Sequence, residues 1–392
     1  MVAEEPSRRG PVGPMVPRES YDGLREGVYL NQASLGLVPR ESTEATVRFQ
    51  VDVAQHGNAR LSDARESAVL DPLRAAAESF LDAPHGSVAV VGGAGEALGQ
   101  LTAILAARPG DVVLVRTDFP SVTYPWLGVR QRQGTGIRWV EDRPGEDLTS
   151  ALVDAVGDGT GAVCVSAVQY ATGTRVDVAQ VVRRAHAVGA RVVVDVTQLA
   201  GAAPVSMRDW QADALVCSGY KWLSAHGGVA LLALGDALLG ETPHLLGWKG
   251  AQDPFDFRAD ELVLAADARR FELSTMSYGA AAGLETSLGL LAGLGMTAVA
   301  AHADALAAEL VACVEPLGWR PFRPLQDTAA SSHIVSLRHD SLPPDAVQHA
   351  LAERDVVVSH RGGAVRVSLH VYNDSADVAA LVDALTTLDR RP

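Results

Sequence analysis

The chain has 392 residues, 47% of them hydrophobic and 20% charged, with a formal net charge of −14; it is long enough to bury the core of one large domain and a smaller one. The acidic balance disfavours a nucleic-acid partner. No run of about 18 apolar residues escapes charges, glycine breaks and turn signals, which disfavours a membrane span.

Residues 1–17 are rich in Pro, Gly and charge, lack the apolar core of a signal peptide, and read as a disordered tail. The periodicity predicts a helix over 73–81, a strand over 88–91, a glycine-rich turn at 92–95 and a helix running to 107. Strands are expected at 111–116, 162–168, 191–196, 214–217 and 229–233, with helical pattern such as 178–188 between them. Continuous Val/Ala/Leu strands separated by helices argue for an α/β fold with a mostly parallel sheet covered on both faces. Residues 284–294 and 298–314 read as Ala/Leu-rich helix; from residue 333 shorter strands and a helix at 345–354 indicate a smaller α+β domain. The expected division is a tail at 1–17, an N-terminal segment at 18–60 packing near the active site and small domain, a large domain at 61–282 and a small domain at 283–392.

Three widely spaced cysteines, Cys164, Cys217 and Cys313, form no C-x-x-C pair. They suggest neither a disulfide framework nor a zinc site and fit a reducing cytoplasm. Only two of the 33 basic residues are lysines, Lys221 and Lys249. Arginine serves nearly wherever a positive charge suffices, so a retained lysine points to something arginine cannot do: lose its proton and form an imine. Chance retention is the plainer explanation. Lys221 lies between two apolar runs in Ser218-Gly219-Tyr220-Lys221-Trp222, where burial would favour the neutral amine; a lysine snorkelling from a loop is the alternative.

Two other segments carry chemistry. Gly92-Gly93-Ala94-Gly95 sits between a strand and a helix, where free N–H groups favour an anion. By itself it is a weak signal: a purely structural tight turn competes evenly with ligand binding, which divides between phosphate and a dinucleotide. Asp195 ends the apolar strand Val192-Val193-Val194, facing the ligand crevice of an open α/β sheet. A buried carboxylate there needs a partner such as a protonated pyridine nitrogen, or else caps the turn through Thr197.

The order glycine-rich loop, Asp-x-x-Gln, then Ser-Gly-x-Lys with the lysine 26 positions after the Asp resembles the class V aminotransferase family of fold-type I pyridoxal-5′-phosphate (PLP) enzymes, from about residue 29 to 388. The resemblance implies a seven-stranded large-domain sheet, a homodimer with shared sites, an amino-acid substrate, and Lys221 as the residue carrying the cofactor. It further implies backbone contacts from Gly93, Ala94 and Gly95 to the phosphate, with Gly95 standing where the family often has Thr. Phe119 would stack on the pyridine, Gln169 and Tyr170 would contact the ring hydroxyl or substrate, and Asp195 and Gln198 would hold the ring nitrogen and oxygen. Ser218 and Tyr220 would hold phosphate, Tyr220 replacing a common His. Thr275 would reach a phosphate across the dimer, and residues 246–250 would line the neighbouring site. Arg366 matches the substrate-carboxylate clamp, with Arg361 and Asn31 as lesser candidates. His56, Asn58, Arg60, Tyr124, Trp126, Trp248 and His370 are further pocket candidates that read more naturally as structural.

Cysteine desulfurases of this family carry a catalytic Cys just before the clamp arginine. The stretch Ser359-His360-Arg361-Gly362-Gly363-Ala364 is short and has none. The sequence therefore leans towards C–S β-elimination from a cysteine conjugate in bacterial secondary or thiol metabolism. Amino transfer, epimerisation and decarboxylating deamination are the alternatives within the family. A nucleotide-dependent oxidoreductase is a distant one that gives Asp195 and Lys221 no role; a ligand-sensing module on the same fold is another.

Overall fold

The computed structural model describes residues 10–389. Residues 1–9 of the expected tail lie outside the described residues. Residues 10–17 are laid against the C-terminal part of the chain: the Val12 N–H donates to Ser375 Oγ and the Met15 N–H to the Val371 carbonyl, each at 2.8 Å.

In chain order the strands are β1 (Val28–Tyr29), β2 (Val88–Val91), β3 (Asp111–Val115), β4 (Ile137–Val140), β5 (Thr160–Ser166), β6 (Arg191–Asp195), β7 (Ala214–Ser218), β8 (Ala230–Leu234), β9 (Arg320–Pro321), β10 (Ile334–Arg338), β11 (Val356–Val357), β12 (Ser359–Arg361) and β13 (Ala364–Ser368). The main helices of the first half are α1 (Arg40–His56), α2 (Asp63–Ala68), α3 (Asp71–Phe80), α4 (Ala94–Leu105), α5 (Pro120–Gln133), α6 (Leu148–Ala155) and α7 (Val178–Ala187). Two single turns follow, α8 (Met207–Trp210) and α9 (Asp236–Leu239), then α10 (Tyr278–Leu294), α11 (Met296–Val314), α12 (Pro344–Ala352) and α13 (Ser375–Asp389).

Seven strands form the central sheet in the order β2-β8-β7-β6-β5-β3-β4. Only β8 runs against its neighbours; the remaining pairs are parallel. β6, β7 and β8 are buried along nearly their whole length, because helices cover both faces and each strand can be apolar on both sides. The two faces pack into separate cores. One holds Val163, Val165, Val192 and Val194 against α3, α7 and α10; the other holds Cys164, Val193 and Val216 against α4 and α5. A four-stranded antiparallel sheet, β12-β13-β10-β9, packs with α11, α12 and α13 around a third core containing Leu306, Leu310, Val335, Val367 and Leu385. β1 pairs in parallel with β11, tying the N-terminal segment to that body.

By length and composition α11 with its following turn is long and apolar enough to cross a membrane. Yet it carries Asp304 and Glu309 and buries Leu306, Ala307, Leu310 and Val314 in the third core, as a core helix does. Helices α1, α5 and α13 were not among the predicted elements. In α1 only Ser42 and Thr46 are buried, so no apolar stripe marks it. It packs closely along α10 through small and polar residues: Ser42 Oγ donates to the Gly283 carbonyl at 2.6 Å, and a Cβ on Gly283 would stand 2.4 Å from Thr46 Oγ1. In α5, Pro125 interrupts the pattern.

Candidate active site

The strand ends converge on a cavity of about 180 Å³. Its wall comprises Gly93, Ala94 and Gly95 after β2, Phe119 and Ser121 after β3, Ser166 and Tyr170 from β5 onward, Asp195, Thr197 and Gln198 after β6, and Ser218, Tyr220 and Lys221 after β7. All five strands deliver their C-terminal ends here, as expected of an open α/β sheet.

Lys221 is 5% exposed. Its backbone is fixed by the N-terminal segment. Gln32 Nε2 donates to the Lys221 carbonyl at 2.8 Å, and the Gly36 N–H donates to the Tyr220 carbonyl at 2.9 Å. A Cβ at position 36 would lie 2.3 Å from the Lys221 carbonyl oxygen, so the close approach demands glycine. Lys221 Nζ stands 4.7 Å from the Phe119 ring centre and 5.7 Å from that of Tyr220. Burial lowers its pKa to about 8; the charge of Asp195 opposes the fall, and that of Arg366 adds to it.

Asp195 is 5% exposed and accepts the Thr197 N–H at 2.8 Å. It therefore caps its turn and also lines the cavity. Burial raises its carboxyl above the ordinary range, against the hydrogen bond from Thr197 and the charge of Lys221. Gln198 is held at both ends of its amide, Nε2 donating to the Ala33 carbonyl and Oε1 accepting Trp222 Nε1 at 2.8 Å; one N–H remains for a ligand.

A second carboxylate, Asp118, lies just behind the wall. It accepts Ser166 Oγ at 2.5 Å, the Ser166 and Phe119 N–H groups at 2.8 and 2.7 Å, and Gln169 Nε2 at 3.2 Å. Burial nonetheless pushes its pKa up to about 6. Gln169, expected to face the ligand, is instead buried on Asp118 and absent from the cavity wall, with Oε1 lacking a partner. Tyr170 does reach the wall, edge-on to Phe119 with ring centres 5.3 Å apart.

Arg366, on β13, is 1% exposed. One terminal nitrogen donates to the Tyr170 carbonyl at 2.7 Å and the other to Ser34 Oγ at 2.6 Å, while Nε is buried without a partner. No carboxylate pairs with it among the described residues, and burial, followed by the charge of Arg361, depresses its pKa to about 9. Arg361 is half-buried and, among the described residues, donates only to the neighbouring His360 carbonyl. Asn31 bridges to Ser368, and its Oδ1 is buried unpaired. Thr275 is exposed and 3.4 Å from Glu66, outside this cavity. His56 and Arg60 gather on Asp52, Tyr124 is 64% exposed, and Trp126 and His370 are core residues.

No thiol lines the cavity among the described residues. Cys164 and Cys217 are buried, which pushes both thiols far up, and Cys313 is exposed on α11. β12 and β13 are joined by Gly362-Gly363, both at positive φ, a two-residue turn with no room for a longer loop. Sequence reasoning missed Gln32, Gly36, Asp118, Ser121 and Ser166. The first two lie in the turn-like stretch Asn31-Gln32-Ala33-Ser34-Leu35-Gly36, which alone hints at them, and the others carry no signal that separates them from ordinary loop residues.

The family described as aminotransferase class-V matches residues 28–381. A probable cysteine desulfurase of Methanothermobacter thermautotrophicus is 27% identical over 92% of this chain and 94% of its own. A kynureninase of Deinococcus radiodurans is 28% identical over 82% and 80%. Among solved structures, the Escherichia coli cysteine desulfurase CsdA superposes with a TM-score of 0.82 at 22% identity, covering 94% of this chain and 96% of that one. The cystine C-S lyase C-DES, in complex with cysteine persulfide, reaches 0.84 at 21% identity over 93% and 98%. The shared feature in both structures is the fold.

Proposed function

The chain belongs to the class V aminotransferase family of PLP-dependent, fold-type I enzymes, and from that premise we propose that Lys221 carries the cofactor and that the reaction is C–S β-elimination from a cysteine-derived amino acid. The observation that carries the cofactor assignment is a buried lysine of lowered pKa, in one cavity with a buried carboxylate and two helix-start N–H groups.

The donor set fits the group. Ala94 and Gly95 open α4 ahead of its first internal bonds, which begin with Glu96 and Ala97 donating to the Gly93 carbonyl; their N–H groups suit the phosphate. Ser218 and Tyr220 flank the same space. Asp195, short of a cation, suits the pyridine nitrogen; Gln198 has one N–H for the ring oxygen, and Phe119 offers a ring face. Bound PLP supplies an electron sink that weakens the bonds at Cα.

The chain's own groups then do the rest. Arg366, a guanidinium without a counter-ion, takes the substrate carboxylate. Lys221 Nζ, with a pKa of about 8, takes the Cα proton and returns one to the departing sulfur. The Cα–H and Cβ–S bonds break, the thiol leaves, and water completes release of pyruvate and ammonia. Elimination is favoured over sulfur transfer to a protein cysteine because the cavity wall lacks a thiol and the β12–β13 turn is two residues long.

Desalted holoenzyme should release equimolar pyruvate and thiol from S-substituted cysteines. A keto acid retaining its sulfur would indicate amino transfer, a D-amino acid epimerisation, and no product from a broad panel would sink the elimination reading. The proposal includes a homodimer in which Thr275 serves the neighbouring site; a monomer by sedimentation at assay concentration contradicts that part.

A further inference from the structure

Two helices begin at the cavity, and only one was expected to serve it. α4 opens with Ala94 and Gly95 after the N-cap Gly93; α5 opens with Pro120 and Ser121 after the N-cap Phe119. Neither N-cap uses a side chain to satisfy its helix; the start of α4 presents the Ala94 and Gly95 N–H groups, and that of α5, where Pro120 has no N–H, presents the Ser121 N–H. They also come together. A Cβ built on Gly95 would meet a single side-chain atom within 4 Å, Ser121 Oγ at 3.9 Å. Ser121 lines the cavity, is half-buried, and has no hydrogen-bond partner within the described residues. A hydroxyl placed beside an anion-binding helix start, and engaged by nothing in the protein, is available to a ligand. The side chain that Gly95 lacks would project into the space this hydroxyl borders.

We propose that Ser121 is a cofactor-binding residue whose hydroxyl, delivered from the start of α5, donates to the phosphate held at the start of α4. It supplies from a different helix the side-chain donor that Gly95 cannot. The inference rests on the PLP reading above, and the chemistry it selects is a phosphate monoester dianion, as distinct from the pyridine ring.

PLP and its phosphate-free analogue pyridoxal separate the two. Both are titrated by absorbance into apo-protein of the parent, Ser121→Ala, and Ser121→Ala combined with Gly95→Ser. Losing one hydrogen bond to a charged group should weaken PLP binding by Ser121→Ala about ten- to a hundredfold, leave pyridoxal binding unchanged, and leave the melting temperature of the apo-protein unchanged. The added Gly95→Ser hydroxyl, in open space, should restore much of the PLP affinity. Unaltered PLP affinity in Ser121→Ala overturns the proposal, as does an equal loss for PLP and pyridoxal, which would mark a structural effect. A parent that binds neither compound fails the cofactor reading itself, and the parent titration reports this separately from any effect of the substitutions.

Discussion

The two lysines of the chain make a controlled comparison. Lys221 and Lys249 are 5% and 9% exposed, and both stand over aromatic rings. Lys249 is nevertheless neutralised: Glu66 Oε1 is 2.9 Å from its Nζ, and Trp248, Phe255 and Tyr278 surround it. Glu66 shows the response. Burial draws its pKa upward, but Lys249 and Tyr278 bring it below the usual range. Around Lys221 no carboxylate among the described residues comes within ion-pair distance; Asp195 acts only through space, and the unpaired Arg366 opposes a charge on the amine. Burial next to a close anion yields a structural cation; burial without one yields an amine poised to lose its proton. The difference lies in what each site omits.

The sharpest way to break this comparison is to make both positions arginine. Lys221→Arg should abolish the bound-cofactor absorbance and all turnover, because arginine forms no imine. Lys249→Arg should keep both, since the ion pair and ring contacts tolerate a guanidinium. Next in size, Arg366→Gln should lower kcat/KM by about a hundredfold or more through loss of the charge-assisted carboxylate contact, mainly as a raised KM, with the cofactor spectrum intact. Lys249→Met should leave that spectrum in place but destabilise the protein by about 1–2 kcal/mol in chemical denaturation, because the half-buried Glu66 loses its cation and keeps only the hydroxyls of Tyr278 and Thr275.

A last effect is confined to the apo-protein. Lys221 titrates near 8 in the fold against 10.5 unperturbed, so between those values the unfolded chain binds the extra proton and stability rises with pH. Below about pH 8 the cost is fully present. Apo Lys221→Met should be more stable than apo parent at pH 7 by on the order of 3 kcal/mol, and the gap should close as pH approaches 10. A constant gap across that range contradicts the account.

Much of the sheet was legible in the sequence because its strands are buried on both faces: Val192-Val193-Val194 and the run from Ala214 to Cys217 need no alternation to be recognised. Lys221 and Asp195 stood out for the same physical reason, as charges placed in or beside apolar runs, whereas Arg366 was marked by the family resemblance. Helix α1 did not, because Ser42 and Thr46 pack it against α10 through small and polar contacts. Gln169 misled: its place in sequence suits a ligand contact, yet Asp118 draws it behind the wall, and that carboxylate gave no sign of its burial. Ser121 stands beside Gly95, and Gly36 against the Lys221 carbonyl, neighbours remote in sequence, which no local pattern encodes. Residues 10–17, polar and proline-rich, are positioned by two backbone donors to residues 371 and 375, again invisible locally.

The central claim is that one lysine of the two holds the cofactor, and an absorption spectrum with and without borohydride, on parent, Lys221→Ala and Lys249→Ala, tests it most directly. The account predicts a visible band in the parent and in Lys249→Ala that borohydride fixes to the protein, and its absence in Lys221→Ala. A fixed band surviving in Lys221→Ala, or none in PLP-reconstituted parent, would contradict it.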